Sequence, residues 1–158
     1  MADDVINDQE LSGDLLTLLR ELDALLVANL VQYPVAIDRL RERNVEAWPQ
    51  VAVRELLMNA IMHRDYRATA PLRLTWFNDR IEIQSPGALY GEANAKNFPK
   101  QNSYRNPVIA EAMKVLGYVN RFGRGIIRAR EALERNGSRP PDFLFDAGYV
   151  LATIWRRP

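Results

Sequence analysis

Residues 54–66 read RELLMNAIMHRDY, and this stretch predicts the central helix of the fold. Side chains four positions apart lie on one face of a helix, so Glu55, Asn59 and His63 form a polar row. Beside this row lies an apolar stripe at positions 56, 57, 60 and 61, which must face a core. The oxygens of the row are suited to holding a cation or positioning a water molecule. The same short pattern also fits a solvated helix edge, so features downstream must decide between the two interpretations.

The composition limits the class of protein. The 158 residues suit one domain, and 47% hydrophobic with 26% charged residues is typical of a globular protein with a sizeable core. The net charge of +1 gives no global attraction to nucleic acid or to an anionic membrane. The absence of cysteine excludes disulfides, thiolate catalysis and cysteine-ligated zinc. The single histidine excludes a multi-histidine metal site within one chain.

The N-terminal region predicts a cytoplasmic protein without a membrane segment. It is acidic and lacks a signal peptide, and no apolar run reaches the roughly 20 residues that span a bilayer. Residues 1–10 are polar and are expected to fray. Leucines recur at helical spacing from Ser12, a favourable N-cap residue, and Tyr33-Pro34 ends the pattern. We therefore expect residues 1–32 to form an amphipathic helical arm, used for packing or alternatively for dimerisation, and residues 33–158 to form the main domain.

Alternating side chains predict two hairpins. Residues 72–77 and 81–84 alternate in polarity around the turn Asn78-Asp79, and residues 143–145 and 149–155 form a similar pair near the C-terminus. The other predicted elements are two short extended pieces and three helices, at about 35–40, 45–48, 50–64, 107–116 and 125–136. This order predicts an α+β fold, a two-layer sandwich in which an antiparallel or mixed sheet carries helices on one face.

Three further features indicate contact with a ligand. Ser85-Pro86-Gly87 ends a strand and allows close approach to its backbone. Residues 88–105 have no period, and a loop of this length is often a binding loop or lid, with disorder as the alternative. A helix begins at Asn106-Pro107, with Asn106 as its predicted cap. After it, the segment Gly123-Arg124-Gly125 opens another helix, whose N–H groups can point at an anion. Arg124 and Arg128 add positive charge there.

In this order, the features resemble the GHKL, or Bergerat-fold, ATP-binding domain. The similarity is to the divergent version in RecG-like transcriptional regulators, where it follows a Schlafen-type AlbA domain. The resemblance covers about residues 45–158 and is carried by the segments 54–60, 63–66, 81–87, 105–107 and 122–126. It implies that residues 33–158 are a GHKL-like domain and that the chain is a fragment of a longer regulator. Because no Gly-x-x-x-x-Gly-Lys-Ser/Thr phosphate loop occurs, a helicase is not implied.

The resemblance implies ATP and Mg²⁺ as cofactors of the polar row. Asn59 matches the residue that holds Mg²⁺ against the phosphates, and Glu55 matches the residue that orients or activates the attacking water. His63 has no family role to carry over, but its place on the row predicts that it reaches a phosphate.

The downstream candidates match parts that bind the nucleotide. Ser85 and Gly87 fall where the family has Asp-x-Gly, whose aspartate reads the adenine amino group. Gly123 and Gly125 match the glycines that close over the phosphates, with Arg124 between them.

Two departures from the family pattern leave alternative functions open. Ser85 replaces the adenine-reading aspartate and loses a charge-assisted hydrogen bond, which is roughly twice as strong as a neutral one. Leu89 stands where the fuller pattern has glycine. We therefore expect an ATP-binding switch in a transcriptional regulator, with at most weak hydrolysis, or alternatively a degenerate, nucleotide-free protein-interaction module.

The expected partner is ATP or a related nucleotide, and a homodimer through the leucine-rich first helix is the alternative to its packing role. Direct nucleic-acid binding is a third interpretation, which the net charge near zero disfavours. It would use the basic residues Lys96, Lys100, Arg105, Arg121, Arg124 and Arg128. We expect DNA contact only through other domains of a full-length protein.

Overall fold

The computed structural model describes residues 4–100, 103–120 and 123–158, which contain seven strands and four helices. In chain order these are β1 (Val5–Leu11), α1 (Leu15–Asn29), β2 (Gln32–Ala36), β3 (Glu42–Glu46), α2 (Gln50–His63), β4 (Leu72–Phe77), β5 (Arg80–Pro86), α3 (Pro107–Val115), α4 (Gly125–Arg135), β6 (Asp142–Phe145) and β7 (Tyr149–Trp155). Among the described residues, none of the helices has the length and apolar character needed to traverse a bilayer.

A five-stranded sheet in the order β1–β4–β5–β7–β6 forms one layer, and every neighbouring pair in it is antiparallel. Both predicted hairpins are present, as β4–β5 and β6–β7. Leu74 pairs with Ile83 across the first hairpin, and both side chains are almost fully buried. The predicted α+β two-layer sandwich is confirmed, with an antiparallel rather than a mixed sheet. A separate antiparallel pair, β2 and β3, replaces the two predicted extended pieces, and each strand begins three residues before the piece at 35–40 or 45–48.

Helix α2 lies at the centre of the core, as its sequence predicts. It contacts β5 and α4, and its Leu57 and Ile61 have no exposed surface. Fully burying one such side chain contributes roughly 1.5–3 kcal/mol. Because most of α2 is buried, Glu55 within it is almost completely removed from bulk water.

The N-terminal region differs from the sequence-based expectation. Residues 5–11 are not frayed but form the edge strand β1, which pairs with β4. The cap of α1 is Asp14 rather than Ser12, because the Asp14 carboxylate accepts a hydrogen bond from the Thr17 backbone N–H at 3.0 Å. The buried leucines of α1 belong to the same core cluster as α2. The division of the chain at residue 32 stays a prediction.

The contribution of α1 to this core can be measured with a matched pair of variants. Leu22 is 1% exposed and Leu16 is 48% exposed on the same helix. We expect Leu22→Ala to lower the free energy of unfolding by roughly 2–5 kcal/mol, because it leaves a cavity among packed side chains. Leu16→Ala should change it by no more than about 0.5 kcal/mol. Urea denaturation provides both values, and equal small losses would mean that α1 is an independent arm.

Candidate functional site

Two adjoining cavities lie along α2. The first has a volume of about 60 Å³ and mainly apolar walls from α2, β5, the loop after β5, β6 and β7. The second has a volume of about 30 Å³ and lies between α2, α4 and the residues Val119, Asn120 and Gly123. Asn59, His63 and Ile126 belong to the walls of both. We call them the apolar cavity and the polar cavity.

Ser85 supplies a fixed acceptor in the apolar cavity. It is 6% exposed, and its hydroxyl donates a hydrogen bond to the Ala60 carbonyl oxygen at 2.9 Å. Since a hydroxyl has one hydrogen and two lone pairs, the oxygen can still accept a bond from a ligand but has no hydrogen left to give. The site therefore favours a donor group over an acceptor at this point.

The described part of the loop after β5, residues 88–100 and 103–105, covers part of the apolar cavity. Phe98 packs edge-on against Phe143 and Phe145 of β6, with ring centroids 4.8 and 4.9 Å apart. Phe98 and Phe143 also line the cavity, together with Leu89 and Tyr90. The aromatic contact thus ties the loop to the edge of the sheet and closes one wall.

A compact backbone contact forms the rim of the apolar cavity. Gly87 has φ +103°, and a Cβ there would lie 2.9 Å from the Asp65 Cβ. Arg105 donates to the Ala88 carbonyl at 2.8 Å and pairs with Asp65 at 3.5 Å. Hydrogen bonds from Arg67, with a contribution from the Arg105 charge, lower the pKa of Asp65. This packing explains why position 87 is glycine, because the end of β5 passes directly against Asp65, just beyond the end of α2.

Asn106 has a different role from the predicted one. Its side chain makes no cap for α3; instead Nδ2 donates to the carbonyls of Met62 at 3.1 Å and Arg64 at 2.6 Å. These are carbonyls at the C-terminal end of α2, which have no partner within that helix. The long loop is thereby fixed to α2 where it ends.

Glu55 is buried in an ion pair beside the polar cavity. It is 7% exposed, and its Oε1 accepts a hydrogen bond from Arg54 at 2.5 Å and forms a salt bridge with Arg128 Nη1 at 2.8 Å. A Cβ on Gly125 would lie 3.1 Å from Glu55 Oε2, so glycine at the start of α4 lets the carboxylate approach. The pairing of Glu55 with Arg128 was not predicted from the sequence.

Asn59 and His63 complete the row. No other described residue forms a hydrogen bond with the Asn59 carboxamide, although it borders both cavities. His63 stacks on Tyr104, with ring centroids 5.4 Å apart. Burial, with a contribution from the Arg105 charge, lowers the pKa of His63 to about 4, so the ring is neutral at pH 7.

The structure brings most of the predicted site residues together. Glu55, Gly123 and Gly125 line the polar cavity, while Ser85 and Gly87 line the apolar one. Arg124 is exposed at the N-terminus of α4 and is not among the described residues of either wall, whereas Arg128 lines the polar cavity. Arg121 and Phe122 lie outside the described residues. The roles assigned to all these residues stay predictions.

Residues 70–154, more than half of the chain, match the model of a family described as "Putative ATP-dependent DNA helicase recG C-terminal". The chain belongs to this family. Membership in the RecG C-terminal family confirms the resemblance noted in the sequence and supports an ATPase-like domain. The match begins after α2, so it says nothing of the polar row.

A solved structure has the same fold over nearly the whole chain. This is the DIP2311 protein from Corynebacterium diphtheriae, with a TM-score of 0.82 and 28% identity. The alignment covers 90% of this RecG C-terminal family member but only 30% of the DIP2311 chain. No curated protein matches the chain.

The close approach at Gly87 can be tested against a second glycine. Gly13 has a similar φ of +109°, but no atom would lie within 4 Å of a Cβ there. Both Gly→Ala substitutions incur backbone strain of about 1–3 kcal/mol. We expect Gly87→Ala to cost at least about 1 kcal/mol more in the free energy of unfolding, because only it creates an overpacked contact. Equal losses in urea denaturation would contradict the packing described here.

The unusual state of His63 can be measured directly, because it is the only histidine in the chain. We expect its ring proton signals in NMR to titrate near pH 4 instead of at the ordinary 6.5. The unfolded chain then binds a proton at higher pH than the folded one. The neutral, buried ring of His63 therefore contributes to the free energy of unfolding above pH 6.5. This contribution is lost as the pH falls towards 4, by about 3 kcal/mol in total.

The variant His63→Asn serves as the control for this titration. It should remove that part of the pH dependence and leave the part due to carboxylates. A ring that titrates near 6.5 in the folded protein would show that His63 is solvated rather than buried between the cavities.

Proposed function

We propose that this chain is the ATP–Mg²⁺-binding domain of a transcriptional regulator, in which bound nucleotide acts as a switch and hydrolysis is at most weak. The observation that carries the proposal is the junction of the two cavities at Asn59. There a carboxamide without a hydrogen-bond partner in the described part of the chain lies between an apolar cavity with one fixed acceptor and a polar cavity at a helix N-terminus.

The apolar cavity suits a flat purine ring. At about 10–15 Å³ for each water molecule, its volume of about 60 Å³ corresponds to about four to six waters. That is the scale of a base, not of a whole nucleotide. Aromatic and aliphatic walls bury the faces of a ring, and Ser85 offers an acceptor for the exocyclic amino group of adenine. The ribose and phosphates would then extend past Asn59 and His63 into the polar cavity.

The polar cavity suits phosphates with a shared cation. Mg²⁺ is commonly held by one or two protein oxygens together with phosphate oxygens and water. No group of three acidic or histidine side chains that could hold a metal occurs in the described part of the chain, so a cation would depend on the ligand's phosphates and the Asn59 oxygen. Bound Mg²⁺ would neutralise phosphate charge. The N–H groups around Gly123 and Gly125 at the start of α4 favour an anion.

The surroundings of Glu55 support weak rather than efficient hydrolysis. Both arginines bind the same oxygen, Oε1, and Oε2 lies against Gly125. The two arginines already occupy Oε1, so a water molecule oriented by this carboxylate would have to bind Oε2 beside Gly125. The proposal accordingly assigns the nucleotide a switching role, with DNA contact through other domains. A homodimer through α1 would have to use exposed residues such as Leu16 and Val27, because the buried leucines of α1 pack into the core.

The alternative, a nucleotide-free interaction module, is favoured by one surface. Helix α3 exposes Val108, Val115 and Leu116 at 81%, 77% and 52%. Such an apolar face is typical of a surface that contacts another protein. Thermal unfolding with and without nucleotide separates the two functions.

We expect thermal unfolding to shift upward when ATP and Mg²⁺ are added together. A ligand at 100 times its dissociation constant adds about 2.7 kcal/mol to the free energy of unfolding. For a chain of this length, this corresponds to a rise of roughly 5–10 °C in the midpoint. Asn59→Ala should abolish the difference between Mg²⁺ and EDTA, because it removes the oxygen assigned to the cation.

A matched control for Asn59→Ala is Asn44→Ala, at an exposed position on β3. It should keep the full Mg²⁺-dependent shift. If the unsubstituted protein gives no shift with saturating ATP, ADP or AMP, the nucleotide-free alternative replaces this proposal.

A further inference from the structure

We infer that Arg128 binds the terminal phosphates of a nucleoside triphosphate and that Glu55 holds it in position while the site is free of nucleotide. This inference rests on the proposed function and extends it to a residue that recognises the length of the phosphate chain.

Arg128 lies in the wall of the polar cavity. Gly125 and Arg128 lie three residues apart at the start of α4, so they share one face of that helix. Both line the polar cavity, while Arg54, the other partner of Glu55, lines neither cavity. Of the two arginines that bind Glu55, only Arg128 is therefore within reach of a ligand there.

The described wall of the polar cavity carries one negative and one positive side chain. Among the described residues of the polar-cavity wall, Glu55 carries the negative charge and Arg128 the positive charge, because the neutral His63 adds none at pH 7. Among those described wall residues, the one full positive charge that a polyphosphate would meet is that of Arg128, and it is paired with Glu55 in this structure. Phosphate must therefore share or replace the carboxylate as a partner of Arg128.

The geometry of the guanidinium allows this exchange. Arg128 reaches Glu55 through Nη1 at 2.8 Å, and its side chain is 37% exposed while that of Glu55 is 9% exposed. A guanidinium has five N–H donors in a planar fork that matches two oxygens of one phosphate. Arg128 can turn towards solvent and ligand, and Glu55 keeps Arg54 as a partner.

Arg128 also neutralises the Glu55 carboxylate, and loss of that effect alone would weaken the binding of phosphates. The decisive comparison is therefore made between variants in which Glu55 is already replaced. We would measure the dissociation constants of ATP and AMP, each with Mg²⁺, for Glu55→Gln and for the double variant Glu55→Gln/Arg128→Gln. If Arg128 binds the terminal phosphates, the double variant should bind ATP at least tenfold more weakly than Glu55→Gln, with AMP changed less than twofold.

The matched control is Glu55→Gln/Arg130→Gln, because Arg130 is exposed on the same helix and lines neither cavity. It should bind both nucleotides as Glu55→Gln does. Circular dichroism and thermal unfolding establish that each variant is folded. The double variants remove charges of both signs, so no lone buried carboxylate is left.

The outcomes are distinct. Equal dissociation constants for ATP in Glu55→Gln and in the double variant, or equal losses for ATP and AMP, overturn the role of Arg128 and leave the proposed function standing. Absence of nucleotide binding by the unsubstituted protein overturns both.

Discussion

Desolvation of the polar row on α2 is the constraint on which the rest of the structure depends. A helix in contact with β5 and α4 can bury leucine and isoleucine, but a buried polar group without a partner costs free energy. Glu55 meets this constraint with two arginines, and His63 meets it by staying neutral at pH 7. Asn59 has no hydrogen-bond partner among the described residues. The two ends of the row are therefore stabilised within the protein, whereas Asn59 in the middle can bind a ligand where the two cavities adjoin.

The ion pairs of Glu55 are a poor source of stability. Removing a carboxylate from water carries a desolvation cost that can exceed the gain from pairing, and a well-packed apolar side chain often serves stability equally well. Arg54 and Arg128 remain 35% and 37% exposed, which weakens their attraction to Glu55 further. A buried carboxylate at the mouth of a polar cavity is thus better explained by what it holds in place than by the free energy of folding.

Local features of the fold could be predicted from the sequence, and features that depend on distant contacts could not. The β4–β5 hairpin and α2 have their periodicity within one segment. Strand β1 gives no such signal, because it is an edge strand in which only Leu11 is buried. Asn106 reads as a local cap, yet its amide reaches the end of α2. For the site, the row with Asn59 could be predicted, but the pair between Glu55 and Arg128 joins two helices that only the tertiary structure brings together.

The loop after β5 connects the apolar cavity to α3, and this connection could couple the proposed nucleotide site to another surface. Phe98 closes one wall of the apolar cavity against β6, so a base in this cavity would contact the loop directly. At the other end of the loop, Arg105 is bonded to the Ala88 carbonyl and Asn106 to the end of α2. Helix α3 begins at the next residue and carries the exposed apolar face. Packed elements move between discrete positions rather than deform continuously. A loop fixed at both ends can therefore pass a change at the cavity to α3, which is a connection that a switch needs and that hydrolysis alone does not.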